Sequence, residues 1–312
     1  METKLLSGGD ARSLVLAAEL LSAGELLAFP TETVYGLGAD ARSEHAVAAI
    51  YAAKDRPPSN PLIVHVRSLE AAERFAELDT RARRLADAFW PGPLTLVVRS
   101  RGVLPRAVTA GGETVALRSP RHRTARALLL AFGGPIAAPS ANRSGGISPT
   151  TAAAVMAELE GRIPLVLDGG PCEVGIESTV IDLTGRPTIL RPGSVPASEL
   201  ERTLAEPVGF ADGAEAGPLR SPGRLLRHYA PRTRLVVGGK VPAGAVSIVR
   251  SPARGERTIE VPADPAGYAR ELYGALRQAD SMGVAAIWIE ELPAEESWSA
   301  IRDRIARAAA PE

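Results

Sequence analysis

Residues 54–62 read KDRPPSNPL, and they hold the side chains best equipped for chemistry. Two cations, Lys54 and Arg56, enter a segment that three prolines keep extended and out of any helix. This cationic arm runs into LIVHV at residues 62–66, a short β-branched strand that carries His65. The chain has only three lysines, two asparagines and four histidines, and Lys54, Asn60 and His65 all fall here. A residue type used so sparingly points to the chemistry of its side chain rather than to charge or polarity alone.

Other segments add to the same inventory. TVALR at 114–118 places Thr114, Ala116 and Arg118 on one face of a strand, with Arg118 at the carboxyl end, the edge where α/β sheets bind ligands. APSANRSGGISPT at 138–150 leaves a strand, passes Ser140, Asn142, Arg143 and Ser148, and enters a helix, so its hydroxyls and free backbone N–H groups suit phosphates. GIESTV at 175–180 and LRPG at 190–193 present Ser178 and Arg191 at strand edges. FPTETVYGLG at 29–38 reads as a strand ending in a loop that exposes Thr31, Glu32 and Thr33, with Gly36 and Gly38 as turn glycines.

The cations Lys54, Arg56, Arg118, Arg143 and Arg191, with these hydroxyls and glycines, suit a polyanion. No metal cage and no nucleophile with a positioned base accompany them. Phosphoryl or nucleotidyl transfer needs mainly positioning and charge neutralisation, which such a cluster with Mg²⁺ supplies, whereas acyl transfer through the enzyme needs a serine or cysteine beside a base. Cys172 has no histidine near it in sequence, and Glu173 and Glu177 raise its pKa. Any one of the arginines also fits a surface ion pair, and His65 also fits a hydrogen-bonded core position; co-occurrence carries the functional reading.

The elements that must position these groups alternate between α and β, with runs of strands that predict a twisted mixed sheet. Asp10 caps a helix that stops at Gly24, and Ser43 caps one that ends at Lys54. Further helices are expected at 69–77, 80–89, 124–131, 151–160 and 197–205, and strands at 26–29, 62–66, 94–99, 114–118, 135–138, 165–167, 178–183 and 188–190. Residues 1–206 form the large catalytic domain, 207–233 a Gly/Pro-rich linker, and 234–312 a small Rossmann-like α/β domain with strands at 235–237, 245–249 and 284–290 and helices at 265–279 and 298–308. Balanced charge, 36 basic against 36 acidic, gives no global pull toward nucleic acid or membrane. A single cysteine fits a reducing compartment, and METKLLSGGDARS has no signal-peptide core, so a cytoplasmic protein with no membrane contact is expected.

FPTETVYGLG, KDRPPSNPLIVH, WPGPLTLV, ALRSP, APSANRSGGISPT, GIESTVID and LRPG, in this order from about Phe29 to Gly193, resemble the YrdC-like threonylcarbamoyl-AMP synthases in their longer two-domain form. SPGRLLRHYAP at 221–231 resembles the linker that lies over the site in that form, and its Arg224-Leu225-Leu226 departs from the usual Met-Lys-Tyr-like triplet. The resemblance implies condensation of L-threonine, bicarbonate and ATP to L-threonylcarbamoyladenylate and pyrophosphate, the activation step for N6-threonylcarbamoyladenosine next to the tRNA anticodon. It implies Thr33, His65, Arg118, Ala138 (by its backbone) and Ser178 around threonine, with Arg118 bidentate on the carboxylate. It implies Arg56, Asn60, Thr114, Ser140, Asn142, Ser148, Arg191 and Tyr229 or His228 around ATP. It implies Lys54 and Arg56 as the catalytic cations, with Lys54 on the phosphates. Mg²⁺ arrives with ATP, and the product passes to downstream tRNA threonylcarbamoyl-transfer proteins, with weak direct tRNA binding as a further implication. A carbamoyl-adenylate-handling carbamoyltransferase is the alternative enzyme, although the acylphosphatase and zinc modules that usually accompany it do not appear. A non-enzymatic RNA-binding module is the third reading, disfavoured by zero net charge and few aromatics.

Overall fold

The computed structural model describes residues 2–211, 227–250 and 257–311. The triplet at 224–226 and most of the expected linker therefore lie outside the described residues. In chain order the first sheet takes β1 (Lys4–Ser7), β2 (Leu27–Phe29), β3 (Gly36–Asp40), β4 (Ile63–His65), β5 (Leu94–Arg99), β6 (Thr114–Arg118), β7 (Ile136–Ala137), β8 (Leu165–Asp168), β9 (Thr179–Asp182), β10 (Thr188–Arg191) and β11 (Gly209–Phe210). Their order across the sheet is β1-β8-β2-β3-β7-β4-β6-β5-β9-β10-β11, with parallel and antiparallel pairs mixed as expected. Helices α1 (Ala11–Ser22), α2 (Glu44–Lys54), α3 (Leu69–Ala72), α4 (Thr80–Phe89), α5 (Arg123–Phe132), α6 (Ala152–Leu159) and α7 (Ala197–Leu204) accompany it.

Side-chain alternation decides which face of the central strands is covered. Leu62, Val64, Leu96, Val98, Val115 and Leu117 join Val47 and Ile50 of α2 and Leu85 of α4 in the main core. The intervening residues point the other way. Ile63, Val97, Ala116, Val180 and Leu190 make a small apolar floor of their own. His65 and Arg118 lie beside that floor, directly paired across the parallel strands β4 and β6.

Three expectations yield to tertiary pairing. The loop read through Gly36 and Gly38 is strand β3, antiparallel to β2. Its sequence GLGAD has no β-branched residue, and its glycines are there for clearance: a Cβ on Gly38 would lie 2.8 Å from the Phe29 ring. The helix expected over 69–77 stops at Ala72, because Ala76 bridges to Ser100 and the Glu77 N–H donates to the Arg99 carbonyl. Strand β11 likewise takes Gly209–Phe210 from the segment read as linker and lies parallel to β10.

A second sheet holds β12 (Leu235–Val237), β13 (Val246–Arg250), β14 (Thr258–Val261) and β15 (Ile287–Ile289), all parallel in the order β12-β15-β13-β14. It packs with α8 (Pro265–Ser281), which Asp264 caps through the Gly267 N–H, and α9 (Ser299–Ala309). The core of this unit, built on Val246, Ile248, Leu272, Leu276, Ile287 and Ile301, also takes in Val34, Ile147 and Ile176 from the first unit. Each such aliphatic side chain contributes up to about 1.5–3 kcal/mol when fully buried, so the seam is a firm contact.

Candidate functional site

At the carboxyl ends of β4 and β6 the apolar floor gives way to a hollow lined by Thr33, Arg56, His65, Arg118, Ala138, Ser140, Glu177, Arg191, His228 and Tyr229, among others. These residues come from seven separate stretches of chain. About 40 Å³ remains free between them. A nucleotide needs several hundred Å³, so some lining side chains must swing aside to admit one.

One wall is an ion pair that sequence reading missed. Glu32 is fully buried, and its carboxylate sits 2.7 Å from Arg118 Nη2. Its Oε2 accepts from the backbone N–H groups of Arg121 (3.0 Å) and His122 (3.3 Å). Burial works against this charge, but Arg118 and these N–H groups outweigh it and hold the carboxyl below its usual range. Arg118 Nη1 donates to Thr33 Oγ1 at 2.8 Å. The free guanidinium fork expected for a ligand is therefore already engaged by Glu32 and Thr33. Thr31, Glu32 and Thr33 are likewise not the exposed loop residues expected; all are buried. His65 stands next to this pair, its Nδ1 without a hydrogen-bond partner, and burial beside Arg118 lowers its pKa to about 3.

The opposite side carries cations that make no direct ion pair among the described residues. Arg56 donates from Nε to the Asn60 carbonyl (3.1 Å) and from Nη2 to the Pro61 carbonyl (2.9 Å). Arg191 donates from Nε to the Ser178 carbonyl and from Nη2 to Ser178 Oγ, both at 3.1 Å. Neither has a carboxylate within ion-pair distance among the described residues, and they are only 7% and 3% exposed. Burial brings the Arg56 pKa down to about 10, so it remains cationic at neutral pH.

Lys54 departs from expectation. Its Nζ does not reach the hollow but donates to the backbone carbonyls of Ser140, at 2.6 Å, and Asn142. Burial, with the nearby charge of Arg56, pushes its pKa well down. The scarce lysine thus ties the end of α2 to the loop at 138–150. Asn142 is absorbed in that loop as well: it accepts from Ser140 Oγ and donates to the carbonyls of Arg143 and Gly146. Ser140 itself lines the hollow. Asn60 is fully buried with both side-chain polar atoms unpartnered. Ser178 hydrogen-bonds Thr95 at 2.7 Å behind Arg191. Thr114 lies apart: four residues before Arg118, it is about 13 Å away along β6 and does not line the hollow. Arg143 also lies apart, paired with Asp55 on the surface at 2.8 Å.

A second missed carboxylate, Glu177, closes the side nearest the second sheet. Its Oε1 accepts from Ser148 Oγ at 2.5 Å, and its Oε2 accepts from Tyr273 Oη at 2.9 Å and Arg304 Nε at 2.8 Å. Burial opposes the charge, but Arg304, Arg191 and these donors outweigh it, and its pKa falls to about 2. Nothing in the local sequence pairs Glu177 with Arg304, which follows 127 residues later. Cys172 is buried and its thiol pKa is raised by that burial. Among the described residues no cluster of His, Cys, Asp or Glu has the form of a metal cage, and no helix is long and apolar enough to cross a membrane.

The arrangement can therefore hold a polyanion on Arg56 and Arg191 beside a small polar molecule at Thr33, His65 and Arg118. Comparison with known proteins bears on the family. A Sua5/YciO/YrdC family profile, described as telomere recombination, matches residues 19–193, and one described as the threonylcarbamoyl-AMP synthase C-terminal domain matches 195–310. The threonylcarbamoyl-AMP synthase of Pyrococcus abyssi is 40% identical, over 94% of this chain and 93% of that one. The Bacillus subtilis protein of the same name is 39% identical, over 98% and 95%. The crystal structure of P. abyssi Sua5 complexed with L-threonine superposes with a TM-score of 0.93 at 36% identity, covering 99% of this chain and 98% of that one.

Proposed function

Because the chain belongs to the Sua5/YciO/YrdC family and carries the threonylcarbamoyl-AMP synthase C-terminal domain, we propose that it condenses L-threonine, bicarbonate and ATP into L-threonylcarbamoyladenylate and pyrophosphate. The observation that carries this reading is the pair of buried guanidiniums, Arg56 and Arg191, that face one hollow and, among the described residues, make no direct ion pair with a carboxylate. A buried cation lacking a countercharge is costly, and an anionic ligand removes that cost.

The threonine amine takes up bicarbonate with loss of water, and the resulting carbamate oxygen attacks the α-phosphorus of ATP as pyrophosphate leaves. No covalent enzyme intermediate is needed, which makes the protein a nucleotidyltransferase that works by placement and charge. Thr33, His65, Arg118, the Ala138 backbone and Ser178 surround threonine in this reading. Arg56, Asn60, Ser140, Arg191 and Tyr229 take the nucleotide, and His228 packs against Tyr229. Lys54 contributes through the loop it anchors. His65 stays neutral across physiological pH, so it can accept a hydrogen bond from the ammonium of incoming threonine. Mg²⁺ enters bound to ATP, since Glu177 of the hollow and Glu32 behind Arg118 are both committed to arginines. The adenylate is handed to tRNA-modifying proteins of the cytoplasm.

A nucleic-acid surface is the weaker account, because the cations of the hollow are 3–7% exposed and closed off from a polymer backbone. The test is to incubate the purified protein with threonine, bicarbonate, ATP and Mg²⁺ and measure pyrophosphate. Release that requires threonine supports the proposal; release at the same rate without threonine refutes it.

A further inference from the structure

The second unit touches two residues of the hollow, Glu177 and Tyr229, through two side chains. Arg304 of α9 is almost wholly enclosed, with Nε on Glu177 Oε2 at 2.8 Å, Nη1 on Asp303 at 2.7 Å, and its guanidinium 5.2 Å from the centre of the Tyr229 ring. Tyr273 of α8 donates its hydroxyl to the same carboxylate oxygen and stacks on Tyr229 at 5.9 Å. Glu177 and Tyr229 both line the hollow. The backbone around Tyr229 is held from both units as well. The Ala230 N–H donates to the Gly145 carbonyl at 2.9 Å, and the His228 N–H to the Arg307 carbonyl at 3.2 Å. Tyr229 itself has φ +61°, a conformation that a tyrosine keeps only when its surroundings impose it.

A charged arginine so enclosed does not serve packing alone. Its carboxylate partner belongs to the other unit, and its aromatic partner belongs to the segment 227–231, which lines the hollow through His228 and Tyr229. We propose that Arg304 and Tyr273 are positioning residues of the hollow: acting through Glu177 and the Tyr229 ring, they set where residues 227–231 come to rest over bound ATP. The second unit is then part of the nucleotide site rather than an appendage. The identity of the nucleotide rests on the function proposed above, but the clamp on residues 227–231 does not.

The test compares the full-length protein with Arg304→Met by amide hydrogen exchange and by steady-state kinetics. Exchange of the 227–231 amides should rise at least tenfold in Arg304→Met while α8 and α9 keep their protection. The KM for ATP should rise at least tenfold, with the KM for threonine changed less than threefold. A purely structural role would weaken both substrates together. If α8 and α9 lose protection in Arg304→Met, Tyr273→Phe, which removes one hydroxyl, decides the matter with shifts of at least threefold in the same two quantities. Unchanged exchange at 227–231 overturns the inference. So does an ATP KM that stays the same or falls, since a fall means that the segment obstructs ATP rather than positions it. Should the wild-type protein fail to release pyrophosphate with threonine, the proposed function fails, and the exchange measurement alone still decides for or against the clamp.

Discussion

Lys54 and Arg56 stand two residues apart, yet burial uses them differently. The guanidinium spreads its charge and remains protonated while facing the hollow; the Lys54 Nζ is enclosed, its pKa pushed well down by burial, and donates to two carbonyls. Lys54→Met should therefore cost stability as well as turnover. Two carbonyls lose their donor, at about 1–3 kcal/mol each, and the loop carrying Ser140 relaxes. A denaturant melt and the pyrophosphate assay should both report loss; an unchanged midpoint would mean that the loop holds without the lysine. His65 and His228 give a pH signature. Both have folded pKa values of about 3, below the 6.5 of the unfolded chain, owing first to burial. Between those values the unfolded chain binds more protons, so stability falls as pH falls, by up to about 1.4 kcal/mol per pH unit for each histidine. The double variant His65→Asn, His228→Asn should show a flatter stability profile from pH 6.5 down to 4.5, measured by urea unfolding. An equally steep profile would assign the slope to other groups. At this scale Arg56, Arg118, Ser140 and Arg191 were legible because their motifs are local, whereas Lys54, Thr114 and Arg143 were placed in a hollow that they do not line. Glu32 and Glu177 were not legible, because a carboxylate's meaning depends on Arg118 and Arg304, which lie far along the chain.

At the level of elements, strands rich in β-branched residues announced themselves: β5 and β6 have the predicted bounds, and the N-caps Asp10 and Ser43 accept as expected. Strand β3 was hidden because its glycines answer to the Phe29 ring, a tertiary demand with no local signal. Thr114 shows the limit of face arguments. Periodicity put it on the right side of β6, but not within reach of Arg118. The corner after β10 is tighter than its sequence suggests. A Cβ on Gly193 would lie 2.2 Å from the Thr179 nitrogen and 2.5 Å from the Ser178 carbonyl carbon. Gly193→Ala should thus push β9 and β10 apart, displace Arg191 from Ser178, and lower stability by about 2 kcal/mol or more. Thermal unfolding and the ATP requirement should move together; a variant with the wild-type melting curve would show that the corner can yield.

Across the whole molecule, the two sheets were legible as two α/β units from their periodicity, whereas their joint ownership of one hollow was not. That closeness depends on Gly175, whose φ is +83° and whose added Cβ would come 2.3 Å from the Arg270 Cα of α8. Gly175→Ala should force the units apart, at about 3 kcal/mol or more in stability, and abolish turnover although Gly175 does not itself line the hollow. Retained turnover with retained stability would mean that the second unit can withdraw without consequence.

The central claim is that one enclosed hollow joins the carbon of bicarbonate, through threonine's carbamate, to the α-phosphorus of ATP. The direct measurement is ³¹P NMR of the reaction run with ¹³C-bicarbonate, threonine, ATP and Mg²⁺. The account predicts a new adenylate phosphorus signal split by two-bond coupling to carbon, appearing only with threonine and together with pyrophosphate. An unsplit AMP signal as the sole phosphorus product beside pyrophosphate would contradict it.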